Sequence, residues 1–135
     1  MKAVEQALYT LLSGNSALTT ALGGAYIYNR VVPQGQARPY VVFFHAGGGP
    51  DNVYPGRLQS DSYMVKAVAD SLLQSATVDG LIDAALHHTE SGLAVTGYTT
   101  LWCVRETEAQ MAERADNGDV IWHYGAYYRI RIDNN

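Results

Sequence analysis

The sequence predicts an α+β domain: a mostly antiparallel sheet of about five strands, with two main helices packed on one face. Three observations lead there. Pro39-Tyr40-Val41-Val42-Phe43-Phe44-His45 is a run of β-branched and aromatic residues with no helical spacing. Stretches 58–69 and 120–132 alternate with a period of two. Residues 2–13 and 78–88 carry apolar side chains at helical spacing instead. Neighbouring strands interrupted by only two helices give α+β.

Composition narrows the class. A chain of 135 residues is one domain, spanning 1–135. It is 47% apolar and 16% charged, which excludes bulk disorder and leaves a surface thin in charge for a monomer. The ten tyrosines fill half-buried strand faces or serve at interfaces. A net charge of −4 argues against broad electrostatic binding to nucleic acid. The single cysteine, Cys103, excludes an intrachain disulfide and a cysteine-built zinc site, and its apolar surroundings read as a burial site. No apolar run approaches the roughly 20 residues of a membrane span. Glu5 arrives early and no apolar core follows, so residues 1–5 do not read as a signal peptide. The expectation is a protein made and used in a cytoplasm unless a larger particle carries it out, with no membrane partner.

In chain order, Val4, Ala7, Leu8, Leu11 and Leu12 place one apolar stripe on a helix over 2–13. Gly14 stops it, and Asn15 or Ser16 caps a short second helix over 17–22. Residues 25–32 read as a strand, antiparallel to the apolar run at 39–45. Residues 47–57, with four glycines and two prolines, read as a mobile loop or hairpin tip. The loop is no phosphate cradle, because Lys-Ser/Thr and a helix do not follow. Residues 58–69 form the third strand, with Tyr63, Val65, Ala67 and Ala69 on the core side. Thr77 caps a helix over 78–88, in which Gly80 costs about 1 kcal/mol against alanine. Residues 93–104 and 120–132 are read as a long hairpin with a bulge or turn at Gly97, and Trp122, Tyr124, Ala126, Tyr128, Ile130 and Ile132 face the core. Their acidic connection, 106–119, is read as an outward, flexible arm.

Residue chemistry offers no reaction. His87 and His88 are adjacent on a helix, about 100° apart, and cannot chelate one ion. His45 and His123 each sit in a strand, where a structural role is the ordinary one. No Gly-x-Ser-x-Gly elbow occurs, and no pair among Asp61, Asp70, Asp79 and Asp83 has the spacing and surroundings of an acid/base couple. The acidic arm lacks the spacing of an EF-hand loop. No catalytic residue, cofactor or metal is expected. A deep pocket holding a histidine beside a carboxylate would favour an enzyme.

Three local patterns, spread over nearly the whole chain, carry a resemblance. An N-terminal helix precedes Ala17-Leu18-Thr19-Thr20-Ala21-Leu22-Gly23-Gly24. Ile27-Tyr28-Asn29-Arg30-Val31-Val32-Pro33-Gln34-Gly35 runs into Ala37-Arg38-Pro39-Tyr40-Val41-Val42. The closing strand is aromatic, Trp122-His123-Tyr124-Gly125-Ala126-Tyr127-Tyr128-Arg129-Ile130. Together they resemble the tail terminator, or tail completion, proteins of long-tailed bacteriophages. Two departures are local: the family commonly continues its third strand into a long helix, whereas residues 71–76 here are more polar, and the glycine-rich loop at 47–57 is individual to this chain.

The resemblance implies a non-enzymatic virion protein of the tail and neck. Such proteins form a ring, usually a hexamer, that caps the tail tube and ends its polymerisation. The other face of the ring meets head-completion and neck proteins. DNA passes through the lumen without specific binding, which an acidic balance would assist. The expected partners are therefore further copies of the chain, the tail tube protein and the neck proteins. The expected contacts lie on the loop (Asp51, Asn52, Tyr54, Arg57) and the arm (Glu106, Glu108, Glu113, Arg114, Asp116). The alternative from the residues is a module that binds a partner peptide by strand addition.

Overall fold

The apolar run at 40–45 opens a strand that is paired on both sides. The structure, a computed structural model, describes residues 2–50, 58–87 and 93–134. The helices are α1 (Lys2–Ser13), α2 (Ser16–Leu22) and α3 (Leu72–Leu86). The strands are β1 (Ile27–Asn29), β2 (Tyr40–Pro50), β3 (Leu58–Ala69), β4 (Tyr98–Arg114) and β5 (Val120–Asn134), in sheet order β1-β2-β3-β5-β4. All pairings are antiparallel except β1 with β2. The predicted α+β class, single domain and mostly antiparallel five-stranded sheet are all present.

One core joins the layers. Val4, Leu8 and Leu12 of α1, Leu18 of α2, and Val78, Ile82 and Leu86 of α3 pack with Phe43, Tyr63, Val65, Ala67, Tyr128, Ile130 and Ile132 of the sheet. The sheet residues alternate along each strand, so all three helices cover one face. Cys103 lies in this core.

Several boundaries differ from the expectations. β1 has three residues instead of eight and is parallel to β2. Arg30, with φ of 66°, turns the chain off the sheet after Asn29, and its guanidinium is tied to Glu5 of α1 at 2.5 Å. The connection then returns to the start of β2, which makes the pair parallel. Residues 47–50 are not loop. They continue β2 against Gln59–Ser62 of β3, after a bulge between His45 and Gly47. Residues 51–57 lie outside the described residues.

α3 starts at Leu72, six residues before the predicted start. Ser71 is its cap, accepting the Gln74 N–H at 3.1 Å. Thr77 is interior, and its hydroxyl donates to the Leu73 carbonyl at 2.9 Å. Gln74 and Ser75 disguised this turn. The Ser75 hydroxyl is buried by donating to the Leu72 carbonyl at 2.8 Å, so a polar residue fits the apolar face. The third strand thus runs into a long helix after all.

β4 begins at Tyr98, after a turn at Gly97 (φ 83°) closed by the Tyr98 N–H on the Val95 carbonyl at 3.0 Å. Leu93 and Val95 are buried ahead of it without being strand. The acidic connection is not a flexible arm from 106 onward. β4 stays paired with β5 down to Arg114↔Val120, and only residues 115–119 form the turn. Ala115 N–H bonds the Asp119 carbonyl at 2.7 Å, and Gly118 takes φ of 94°.

The sheet curls towards its helix-free face. A hollow of about 190 Å³ is lined by Phe44 of β2 and by Ala109, Gln110 and Met111 of β4, although β3 and β5 stand between those strands. Two features permit the curl. β4 has a bulge between Arg105 and Thr107. At Gly125 the backbone approaches β3 so closely that a Cβ would collide with the Val65 carbonyl and Lys66 Cα. Gly125→Ala is therefore expected to lower stability by about 2–4 kcal/mol, read by urea denaturation. Unchanged stability would mean that β3 and β5 can spread without cost.

Candidate assembly surface

Besides the β3–β5 ladder, one largely buried cation ties the β4–β5 hairpin to α3. Arg105 (14% exposed) forks onto Asp79 of α3 (6% exposed), with Nη2–Oδ2 at 2.8 Å and Nη1–Oδ1 at 3.2 Å. Nη1 also donates to the Tyr128 hydroxyl at 2.9 Å, and that hydroxyl lies 3.3 Å from Asp83 Oδ1. Burial works against the Arg105 charge, but the bonds to Asp79 and Tyr128 outweigh it and hold the guanidinium protonated. Burial raises the Asp79 carboxyl, and Arg105 opposes the rise. The Arg105 backbone N–H meets His87 Nδ1 at 3.1 Å. His87 is thus the end of α3 docked on β4, not merely a solvated terminus.

Beyond Arg105 the hairpin carries the acidic residues singled out in the sequence. Glu106 accepts from Arg129 Nε at 3.0 Å. Glu108 bonds Arg105 Nη2 at 3.1 Å. Glu113 Oε1 lies 2.6 Å from His123 Nε2 across the ladder. Arg114 Nη1 donates to the Gly118 carbonyl at 2.8 Å, and Asp116 is exposed in the turn. The structure therefore collects Glu106, Glu108, Glu113, Arg114 and Asp116 on one exposed half-hairpin. Asp51, Asn52, Tyr54 and Arg57 lie outside the described residues.

On the helix-free face, the curled sheet makes a trough of Phe44, Met64, Tyr127 and Met111. Lys66 and His123 stand at its polar side. Burial lowers the Lys66 pKa. His123 Nδ1 is buried with no hydrogen-bond partner. Arg131 lies over the Trp102 ring at 5.4 Å. Sequence reading missed this trough, because it depends on a curl that no residue pattern announces. It also missed the Asp79–Arg105 pair, for which a charge inside each of two apolar runs was the available signal.

One histidine–carboxylate pair does exist in the sheet interior. His45 Nε2 is 3.1 Å from Asp61 Oδ1, and Gln59 Nε2 donates to the other oxygen at 2.8 Å. Asp61 is 1% exposed, and His45 meets the Tyr63 ring edge-on. The largest hollow described, about 870 Å³, lies instead between α1 and residues 94–98, and its lining has no acid and no histidine. Pocket and pair do not coincide. Among the described residues, no three His, Cys, Asp or Glu side chains cluster to hold a metal ion.

The sequence model of the family described as "Tail completion protein gp17" matches residues 6–129. The chain belongs to this family. As a tail completion protein it is a structural component of a phage-type virion tail, and such a family points to a non-enzymatic chain. A solved structure described as "Virion of native gene transfer agent (GTA) particle" contains a chain of the same fold, with TM-score 0.77 and 16% identity. That match covers 98% of this chain and 96% of the other. Among curated proteins, none matches the sequence. No helix among the described residues of this tail completion protein is long and apolar enough to cross a membrane.

Removing one partner of the buried ion pair should strand the other. Arg105→Met is expected to cost about 3–5 kcal/mol, and Arg105→Met with Asp79→Leu to recover most of that. Thermal unfolding of both variants checks it. Equal losses in the single and double variants would show that shape, not charge pairing, governs the site.

Proposed function

We propose that this chain caps the phage tail tube as a ring, ends tube polymerisation and presents the surface that joins tail to head. Family membership carries the reading. The fold supports it, because the exposed half-hairpin of 106–116 offers a charged, partly rigid contact for the tube, the neck or a neighbouring copy. A ring requires a head-to-tail interface that closes, and six copies is the expected number. The further partners are the tail tube protein and the head-completion and neck proteins. DNA passes through the opening without specific binding, and assembly takes place in the host cytoplasm. The loop residues Asp51, Asn52, Tyr54 and Arg57 are assigned to the same contacts as the hairpin acids.

A second reading draws on the open side of β4: capture of a partner peptide by strand addition. Light scattering over a range of concentration, with and without tail tubes, separates the two. A species of six times the 14.7 kDa chain supports the cap. A chain that stays monomeric in both conditions supports the module. Replacing 115–119 with Asn-Gly should keep the fold, read by circular dichroism, and abolish capping of tubes. Full capping by the shortened chain would remove the hairpin tip from the mechanism.

A further inference from the structure

Besides the three-residue β1, two longer stretches of strand edge are open among the described residues, and they differ in kind. The first is 107–114 on β4, which has β5 on one side and no described strand on the other. Nearer its start the same edge is occupied. His87 takes the Arg105 N–H, and Thr100 Oγ1 donates to the Leu93 carbonyl at 2.7 Å. The second stretch is 44–50 on β2. β1 pairs only with Val41, Val42 and Phe43, and Arg30 then leads the chain away. Beyond that point no described strand lies beside β2.

We propose that these two edges pair with each other between copies, 107–114 of one chain adding antiparallel to 44–50 of the next. The proposal rests on the ring reading above and names its interface. The lengths match, at about 26 Å and about 23 Å for eight and seven residues of strand. The directions match as well. β4 runs opposite to β2 within the chain, and copies arranged around a ring keep their strand sense. The neighbours therefore meet in the antiparallel arrangement. Gly47 and Gly49 give β2 an edge with no side chains, and a Cβ built at either meets nothing within 4 Å. A strand glycine of this kind permits close approach of another backbone.

The symmetric alternative is disfavoured by charge. Two β4 edges paired over the whole of 107–114 would set Glu108 opposite Glu113 twice, and like charges directly opposed destabilise a ladder. The β2 edge carries no charge over 44–50 apart from any on His45.

The offset between the two edges supplies a quantitative check. Gln110, Tyr124, Ala67 and Val41 lie on one rung of the sheet, whereas Gly47 pairs with Ser62. The centres of the open edges are thus displaced along β3 from Ala67 to Ser62, about 17 Å of strand rise. Pairing them repeats β2, β3, β5 and β4 around the ring, four strand spacings or about 19 Å. β1 then shares a column with the neighbour's β4, end to end. The displacement tilts the strands by about 40°, within the roughly 35–45° of closed barrels.

The test uses the full chain carrying Gln110→Cys and Gly47→Cys, treated with a short bis-maleimide as concentration rises. Native Cys103 is buried, and each single variant controls for it. Circular dichroism checks folding, and Gly49→Cys replaces Gly47→Cys if the latter fails to fold. The expected result is a ladder of covalent oligomers from the double variant and dimers only from a mixture of the two singles. Neither single should cross-link alone. Dimers from Gln110→Cys alone would show β4 pairing with β4 and overturn the proposal. So would the absence of covalent product from the double variant, whether the chain is assembled or monomeric. Cross-linked rings that fail to end tail tubes would keep the pairing and remove the capping role. Tubes capped by a chain that never cross-links would do the reverse.

Discussion

One buried ion pair fixes how the edge of the sheet meets the helix layer. Arg105 of β4 and Asp79 of α3 join the edge of the sheet to the helix that packs on it. Tyr128 completes the knot from β5. A buried pair is not by itself a source of stability, because desolvation offsets most of the attraction. Its value here is positional. Arg105 fixes where β4 leaves the helix layer, and the bulge beside it starts the curl of the outer hairpin. Everything beyond that point, including the acids on 106–116, projects from a fixed base.

Below the knot, the chain obeys ordinary burial. Helix stripes at 4, 8 and 12 and strand residues at 63, 65 and 67 close one core on one face. The other face is left curled, with Met64, Val42 and Val68 largely shielded by neighbouring strands. The sheet is open on two sides at different heights. A structural tail protein needs surfaces that other chains can complete, and unpaired strand edges are such surfaces when they are not blunted. The bulges of β4 fall at Leu101 and Glu106, so the stretch that follows is regular.

Much of the fold was legible in the sequence. The α1 stripe, the alternation of β3 and the aromatic strand β5 gave class, layers and most of the core, because each is a local periodicity. The misses have local causes too. β1 was read antiparallel because a short connection usually makes a hairpin, and the left-handed turn at Arg30 leaves no mark in composition. Thr77 drew the α3 start away from Ser71 because both are good caps and residues 74–76 interrupt the apolar run. Acidic residues at 106–114 suggest a free loop, yet all three find a side-chain partner, Glu106 and Glu113 across the ladder on Arg129 and His123 and Glu108 on Arg105 of its own strand. Of the assembly surface, the acids were found by charge alone. The glycine edge at 47–49 reads as a loop in the sequence, since glycine signals both a turn and a close approach.

The central claim is that this chain sits as a closed ring on the end of a tail tube. Electron microscopy of tail tubes polymerised with and without the chain tests it most directly. The account predicts tubes of limited length carrying one ring-shaped cap of this chain at one end. Tubes that grow equally long in its presence, with the chain unbound or spread along their sides, would contradict it.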